Sequence, residues 1–348
     1  MKRSKVLVTG GTGYIGAHTV IELHKTGYDV IIADNLSNSS EDVLDGIEKI
    51  TGERPIFEKA DCTDYNVMDS LFQKYGDIGA AIHFAAFKAV GESVAKPLLY
   101  YRNNLLSLIN IIDIMTSAGS SSIVFSSSCT VYGQPDSEHL PVGEDAPLQP
   151  AQSPYGKTKQ MCEDILKDSA YAMPDKLKVI SLRYFNPVGA HPTAHIGELP
   201  LGVPQNLLPF VAQTAAGVRE MLSVWGDDYN TPDGSCIRDY IYVCDLAKAH
   251  VAALKRLTVN SGDMKGNIEY FNLGTGRGLS VLEVIDIFKR ANNIDVPFRI
   301  AERRAGDVEQ VWADPSKANR ELGWRADTPI EEVMQSAWRW EKRIRGME

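Results

Sequence analysis

The apolar positions of this chain fall into short continuous runs separated by longer stretches with helical spacing. Lys5 to Thr9 (KVLVT) is rich in β-branched residues and ends at Gly10 and Gly11, after which Tyr14, Ile15, Val20, Ile21 and Leu23 predict a helix. Further strands are predicted at Tyr28–Ala33, Ile56–Ala60, Ala80–Ala85, Ile123–Ser127 and Lys178–Leu182. Helices fill the gaps. The clearest is Pro97 to Ser117, with Leu98, Leu105, Leu108, Ile112 and Met115 apolar. Strands alternating with helices imply an α/β protein built on a doubly wound parallel sheet. Beyond Arg183 the pattern loosens into a Pro- and Gly-rich region from Asn186 to Pro204, then into helices and short strands. The division expected is a dinucleotide-type domain over 1–185 and a smaller α/β domain over 186–348, with segments such as 236–253 able to pack back on the first.

At 348 residues the chain exceeds one average core, in keeping with two lobes. With 44% hydrophobic and 23% charged residues it is neither disordered nor fibrous. It has no apolar run of membrane-spanning length, and a strand begins almost at once where a signal peptide would carry its apolar core. A cytoplasmic protein is expected. The five cysteines are scattered, without C-x-x-C spacing, so reduced thiols are expected and neither a disulfide framework nor a zinc site. A net charge of −9 with no basic run argues against nucleic acid and anionic membranes as partners. His191 and His195 flank Pro192, which opposes the helix that would align them on a metal, and no metal is expected.

The chemistry begins at the first turn. Gly10, Gly13 and Gly16 let the turn close, a ligand approach the backbone, and the helix start pack on the strand. The helix N-terminus then offers free N–H groups to a pyrophosphate. Asp34 closes the second strand, where a carboxylate accepts both ribose hydroxyls of an adenosine and repels a 2′-phosphate, so the cofactor implied is NAD, not NADP. In "SPYGKTKQMCEDIL", Ser153 is an N-cap, Pro154 suits the first helical position, and Tyr155 and Lys159 share one helix face. An ammonium beside a phenol favours the phenolate, and a nearby cationic nicotinamide would favour it further, giving a base able to work near neutral pH.

These residues resemble the extended short-chain dehydrogenase/reductases, a Rossmann-fold superfamily. The blocks "VTGGTGYIG", "HFAAFKAVGES", "FSSSCTVYG", "SPYGKTK", "LRYFNPVGAH", "RDYIYV", "NLGTG" and "RRAGDVEQVWAD", in that order, resemble its UDP-glucose 4-epimerase family over nearly the whole chain. Departures are mild: Ala86 where glycine is frequent, Cys129 where alanine is, and Trp225 where phenylalanine is. The resemblance implies that Tyr155 takes the proton of the sugar 4-hydroxyl while C4 gives its hydride to NAD. Ser128 then hydrogen-bonds the same oxygen, and Lys159 holds the nicotinamide ribose. It further implies that Gly10, Gly13, Tyr14, Ile15, Gly16, Asp34 and Asn35 hold the cofactor, with Asp61 and Cys62 at the adenine and Phe84, Ala85, Lys88, Asn103 and Tyr184 toward the nicotinamide. The UDP-sugar would meet Lys88 and Asn186, with Asn206, Leu207 and Trp225 at the uridine, Arg238 and Arg304 on the diphosphate and Asp307 on a ribose hydroxyl. Val311 would border the sugar 2-substituent. Members with tyrosine there resemble enzymes restricted to unsubstituted hexoses, so Val311 implies activity on UDP-N-acetylglucosamine and UDP-N-acetylgalactosamine as well. A homodimer through two helices of the first lobe is implied too.

A nucleotide-sugar 4,6-dehydratase starts with the same oxidation but needs an added acid and base; dehydratases resembling this chain carry Thr-Asp-Glu where it has Ser128, Cys129 and Thr130. A non-catalytic NAD sensor would be free to lose Tyr155 or Lys159, and both are present.

Overall fold

A computed structural model describes residues 4–304 and 307–347. The first half runs β1 (Lys5–Thr9), α1 (Tyr14–Lys25), β2 (Asp29–Asp34), α2 (Asp42–Thr51), β3 (Ile56–Lys59), α3 (Tyr65–Tyr75), β4 (Ile78–His83), α4 (Val90–Ala95), α5 (Pro97–Ser117), β5 (Ser122–Ser126), α6 (Pro154–Ala172) and β6 (Lys178–Tyr184). It continues through β7 (Asn186–Val188), α7 (Leu207–Ala215), β8 (Leu222–Trp225), β9 (Ile237–Arg238), β10 (Tyr240–Tyr242), α8 (Val243–Thr258), β11 (Ile268–Leu273), β12 (Leu279–Ser280) and α9 (Val281–Asn292). Last come β13 (Phe298–Ala301), β14 (Gln310–Val311), α10 (Ser316–Glu321) and α11 (Ile330–Ile344).

The main sheet has seven strands in the order β11-β6-β5-β4-β1-β2-β3, and every pairing is parallel. Its central strands are buried on both faces, which is why they read as unbroken apolar runs. One face packs on α1, α2 and α8, through Val20, Ile21, Leu44, Ile47, Leu246 and Leu254. The other packs on α3, α5 and α6, through Met68, Phe72, Leu108, Ile111 and Leu166. α5 starts with proline at its first turn and α6 is capped by Ser153, whose Oγ accepts the Gly156 N–H at 3.1 Å.

The chain does not stay on one side of the 185/186 junction. α8 lies against α1, and β11 pairs with β6 from Ile268↔Val179 to Leu273↔Tyr184 as the outermost strand of the main sheet. The remaining elements form a second core around Val211, Val224, Val284, Phe288 and Met334. Three small sheets, β12-β9-β14, β10-β7 and β13-β8, complete the chain's strands. All five cysteines are free thiols, and no described helix is long and apolar enough to cross a membrane.

Candidate active site

The glycine turn is packed tightly enough that side chains are excluded. Gly10 has φ +70°, and a Cβ on it would stand 2.8 Å from the Ala85 nitrogen. Its N–H donates to the Ala33 carbonyl at 2.8 Å, tying the turn to the end of β2. No side chain caps α1, so the amides at Tyr14 and Ile15 remain available to an anion. Asp34 is 8% exposed; its Oδ2 accepts Thr12 N–H at 3.2 Å and its Oδ1 accepts Leu36 N–H at 2.9 Å. Asn35 donates to Asp61 at 3.1 Å, and the hydrogen bonds from Thr63 and Asn35 overcome burial to hold that carboxyl below its usual range. Cys62 beside it is buried and pushed up to about 12, an inert thiol lining the wall. An open helix N-terminus, a close-packed turn and a carboxylate at the next strand end fit an adenine dinucleotide with a free 2′-hydroxyl.

At the ends of β4, β5 and β6 the catalytic candidates meet. Phe84 N–H donates to Thr9 O at 3.0 Å, and Ala85 follows over the glycine turn. Lys159 is 4% exposed and its Nζ donates to the Ser126 carbonyl at 2.5 Å, lying 4.8 Å from the Phe125 ring centroid and 5.9 Å from that of Tyr155. Burial pushes this ammonium down to about 8. Burial also pushes the Tyr155 phenol well above the usual tyrosine value, against the pull of a hydrogen bond with Ser128. Spacing alone suggests a ready phenolate; in the protein by itself desolvation outweighs it, and a further positive charge is required beside the ring. Ser128 starts a short 3₁₀ turn, its Oγ accepting Thr130 N–H at 3.2 Å. Tyr184 hydrogen-bonds the Ser126 hydroxyl, and Asn103 donates to Asn104 at 2.9 Å, which in turn receives Phe87 N–H.

The second lobe brings the remaining candidates. Asn186 on β7 is held by its N–H to the Asp239 carbonyl at 2.9 Å. Val311 is the strand partner of Arg238, and Arg238 Nη2 stands 4.0 Å from Asp307 Oδ1. Arg304 pairs with the same carboxylate at 2.6 Å, so both arginines and Asp307 form one cluster. Val311 is 5% exposed, packed with Val131, Tyr132, Val142, Phe185 and Ala313, with Cys129 at the edge. Asn206 stands at the N-cap position of α7 without a side-chain cap bond, and Leu207 after it is partly buried. Trp225 ends β8 and is half-exposed.

Three further residues belong to this region. Glu198 lies in the Pro- and Gly-rich stretch, where no periodicity marks it, yet its Oε1 accepts from Asn206 at 2.5 Å and stands 3.6 Å from Lys88 Nζ. Lys88 is also 6.0 Å from the Tyr14 ring, so Glu198 ties the first lobe to the second. Glu163 and Arg183 form a buried ion pair at 2.7 Å behind the serine segment. Glu163 follows Lys159 by one helical turn, a signal present in the sequence. His191 and His195 lie in a loop; His191 Nδ1 stands 2.9 Å from Thr193 Oγ1, and burial pushes both imidazoles down. Among the described residues the one group with metal-like spacing is the surface set Asp136, Glu138 and His139.

The model of the family described as GDP-mannose 4,6 dehydratase matches residues 7–337. The chain is 49% identical over 336 residues to UDP-glucose 4-epimerase of Bacillus subtilis, covering 97% of this chain and 96% of that one. The chain belongs to the UDP-glucose 4-epimerase family. A crystal structure of a family member, UDP-glucose 4-epimerase from Stenotrophomonas maltophila with bound NAD and formylated UDP-arabinopyranose, superposes with a TM-score of 0.94 at 46% identity, covering 99% of this chain and 100% of that one. The UDP-Glc/GlcNAc 4-epimerase of Campylobacter jejuni superposes at 0.81 with 36% identity, covering 98% and 99%. The resemblance in the ordered blocks, the doubly wound fold and the epimerase family thus agree.

Proposed function

We propose that Ser128, Tyr155 and Lys159 carry out NAD-dependent interconversion of UDP-galactose and UDP-glucose on this chain. The observation that carries the reading is the meeting of Tyr155 and Lys159, one turn apart on α6, with the serine segment Ser126–Ser128 at the end of β5. Tyr155 takes the proton from the hexose 4-hydroxyl and later returns it. Ser128 holds the same oxygen, and Lys159 binds the nicotinamide ribose. NAD, when bound at Gly10, Gly13, Gly16 and Asp34, supplies reversible hydride acceptance from sugar C4 and a positive charge beside Tyr155, and is regenerated in each turnover.

The 4-keto sugar must turn over between the two hydride transfers, so the anchor has to lie elsewhere on the substrate. Arg238 and Arg304 supply it at the diphosphate, Asp307 at a ribose hydroxyl, and Asn186, Asn206, Leu207 and Trp225 toward the nucleotide; their binding energy holds the intermediate while the hexose moves. Val311, in place of a ring, leaves room for an N-acetyl group, extending the reaction to UDP-N-acetylglucosamine and UDP-N-acetylgalactosamine. The 4,6-dehydratase reading lacks its acid and base: Ser128, Cys129 and Thr130 offer no carboxylate, and burial pushes the Cys129 thiol up to about 11.

We assign the two lobes to 1–185 and 186–348, with α8 and β11 of the second stretch packed back on the first, and the cytoplasm as compartment. A homodimer is supported by the exposed Leu98, Leu99, Leu106 and Ile109 of α5, more apolar surface than one helix normally leaves to water. Sedimentation of Leu106→Glu/Ile109→Glu tests it, a species of unchanged mass refuting this face.

The deciding assay incubates purified protein with UDP-galactose and no added NAD, then resolves the sugars. UDP-glucose without net NADH is expected; stoichiometric NADH or a 4-keto-6-deoxy product overturns the assignment.

A further inference from the structure

On α6 the series Tyr155, Lys159 continues one turn further to Glu163, which is 3% exposed. A carboxylate this deep persists only when it is paired and hydrogen-bonded. Its Oε1 accepts from Ser127 Oγ at 2.6 Å, Ser181 Oγ at 2.9 Å and Arg183 Nε at 3.0 Å, while Oε2 accepts from Arg183 Nη2 at 2.7 Å. Arg183 is itself immobilised. Its guanidinium lies between the rings of Tyr132 and Tyr270, 5.1 and 4.5 Å from their centroids, and donates to the Tyr132 hydroxyl at 3.0 Å. The Tyr132 hydroxyl in turn donates a hydrogen bond to Asn272 Oδ1 at 2.7 Å. The carboxylate therefore has a fixed position and orientation.

What it holds is the serine edge of β5. The Ser126 carbonyl accepts from Lys159 and its hydroxyl shares a hydrogen bond with Tyr184, Ser127 donates its hydroxyl to Glu163, and Ser128 follows with its hydroxyl toward Tyr155. Glu163 stands on the same helix as Tyr155 and Lys159, so the Ser127 bond fixes the distance between that helix and the strand end bearing Ser128. We infer that Glu163 is a positioning residue of the epimerase reaction, setting Ser128 against Tyr155 and Lys159 through its bond to Ser127 and its clamp on Arg183. The inference rests on the catalytic reading of Tyr155 and Lys159 given above.

Glu163 has a second, electrostatic effect. The groups facing Lys159 are Tyr155, Cys162 and Glu163 on its own helix, His83 from β4 and the Ser126 carbonyl from β5. Burial pushes Cys162 up to about 12 and His83 down to about 3, so both are uncharged across the neutral range, and Glu163 is the anion that counters the burial of Lys159. Removing that charge lowers the Lys159 pKa further, and activity that needs the ammonium is then lost at a lower pH.

The test compares Glu163→Gln and Ser127→Ala in the NAD-loaded enzyme with UDP-galactose, alongside Tyr155→Phe. For Glu163→Gln the expected result is a kcat lower by on the order of 10-fold, as for a slight misplacement of catalytic groups. KM stays near that of the parent, and the alkaline limb of the kcat profile moves to lower pH. Ser127→Ala keeps the buried ion pair and with it the fold; its kcat falls while the limb stays in place. A core-only role for Glu163 predicts a lower Tm with kcat and pH profile unchanged, which overturns the inference, and Ser127→Ala with parental kcat overturns it even where Glu163→Gln does not fold. If Tyr155→Phe is inactive while both other variants turn over like the parent, this inference alone fails. If Tyr155→Phe turns over normally, the catalytic reading fails with it.

Discussion

Alanine at Gly16 and alanine at Gly91 are the same change in sequence and opposite changes in the protein. Both glycines are helical, and exchanging glycine for alanine within a helix ordinarily stabilises by up to ~1 kcal/mol. At Gly91 a Cβ meets nothing within 4 Å, so that gain stands unopposed. At Gly16 the Cβ would lie 2.3 Å from the Gly10 carbonyl oxygen and 2.9 Å from the Gly11 Cα. A carbon and a carbonyl oxygen approach no closer than about 3.3 Å in weak contacts, so the turn and α1 must separate by about 1 Å. Both clashing partners are backbone, and neither can rotate away. Overpacking of this size costs ~1–3 kcal/mol, and the helix gain offsets only part of it. The cofactor feels it fully, because the amides that face the pyrophosphate are displaced; shifts of about 1 Å at such groups cost on the order of 10²-fold. Gly16→Ala is therefore expected to melt within a few degrees of the parent yet to lose most of its NAD during purification. Gly91→Ala keeps NAD and melts at or slightly above the parent. NAD released by acid and measured against protein, with a thermal melt of each variant, decides it. Full NAD content in Gly16→Ala would refute the argument that the close approach at this turn exists for the ligand.

Tyr155→Phe removes one hydroxyl and should retain fold and NAD while kcat falls ~10²- to 10⁴-fold, the usual contribution of a general base; near-parental turnover would put the base elsewhere. Val311→Tyr should abolish conversion of the N-acetylated pair and spare UDP-glucose and UDP-galactose, read from kcat/KM for both pairs. A parent enzyme inactive on the N-acetylated pair would refute the role of Val311 at once. His18, His83 and His250 are buried, and burial pushes them down to about 3, 3 and 4. Unfolded histidine titrates near 6.5, so unfolding takes up protons as the pH falls through that value: the stability is present above pH ~6.5 and is lost progressively toward pH ~4, by up to ~1.4 kcal/mol per pH unit for each histidine. Urea midpoints that stay constant from neutral pH to about pH 5 would contradict this.

Much of the first lobe is legible because its signals are local. The strand-turn-helix at Lys5–Lys25 declares itself by an apolar run and three spaced glycines, and α5 begins and ends where its proline and apolar spacing predict. Ser153 is readable as a cap because capping depends on a few adjacent residues. The strands β9, β12 and β14 have only two residues each, too few for a period, although they carry Arg238 and Val311 to the site. The ion pair of Glu163 and the bridge from Lys88 through Glu198 to Asn206 join residues far apart in sequence, and no single stretch contains both halves. The pKa of Tyr155 is a property of the finished cavity: its neighbour Lys159 can be read in advance, whereas the loss of water around the ring cannot.

The place of β11 beside β6 has a consequence for synthesis. A ribosome delivers β6 long before β11, and at ~5–20 residues per second the interval is roughly 5–20 s. Throughout it the N–H and C=O groups along the outer side of β6 lack their strand and the core around α1 lacks Phe271, while Leu246 and Leu254 of α8 arrive only late in the interval. A nascent chain in that condition presents an open, adhesive edge to every other chain nearby. Arrival of β11 covers β6 and moves the sheet's outer edge to the last strand made, so slower elongation between the two strands lengthens the time for which β6 can pair with another chain.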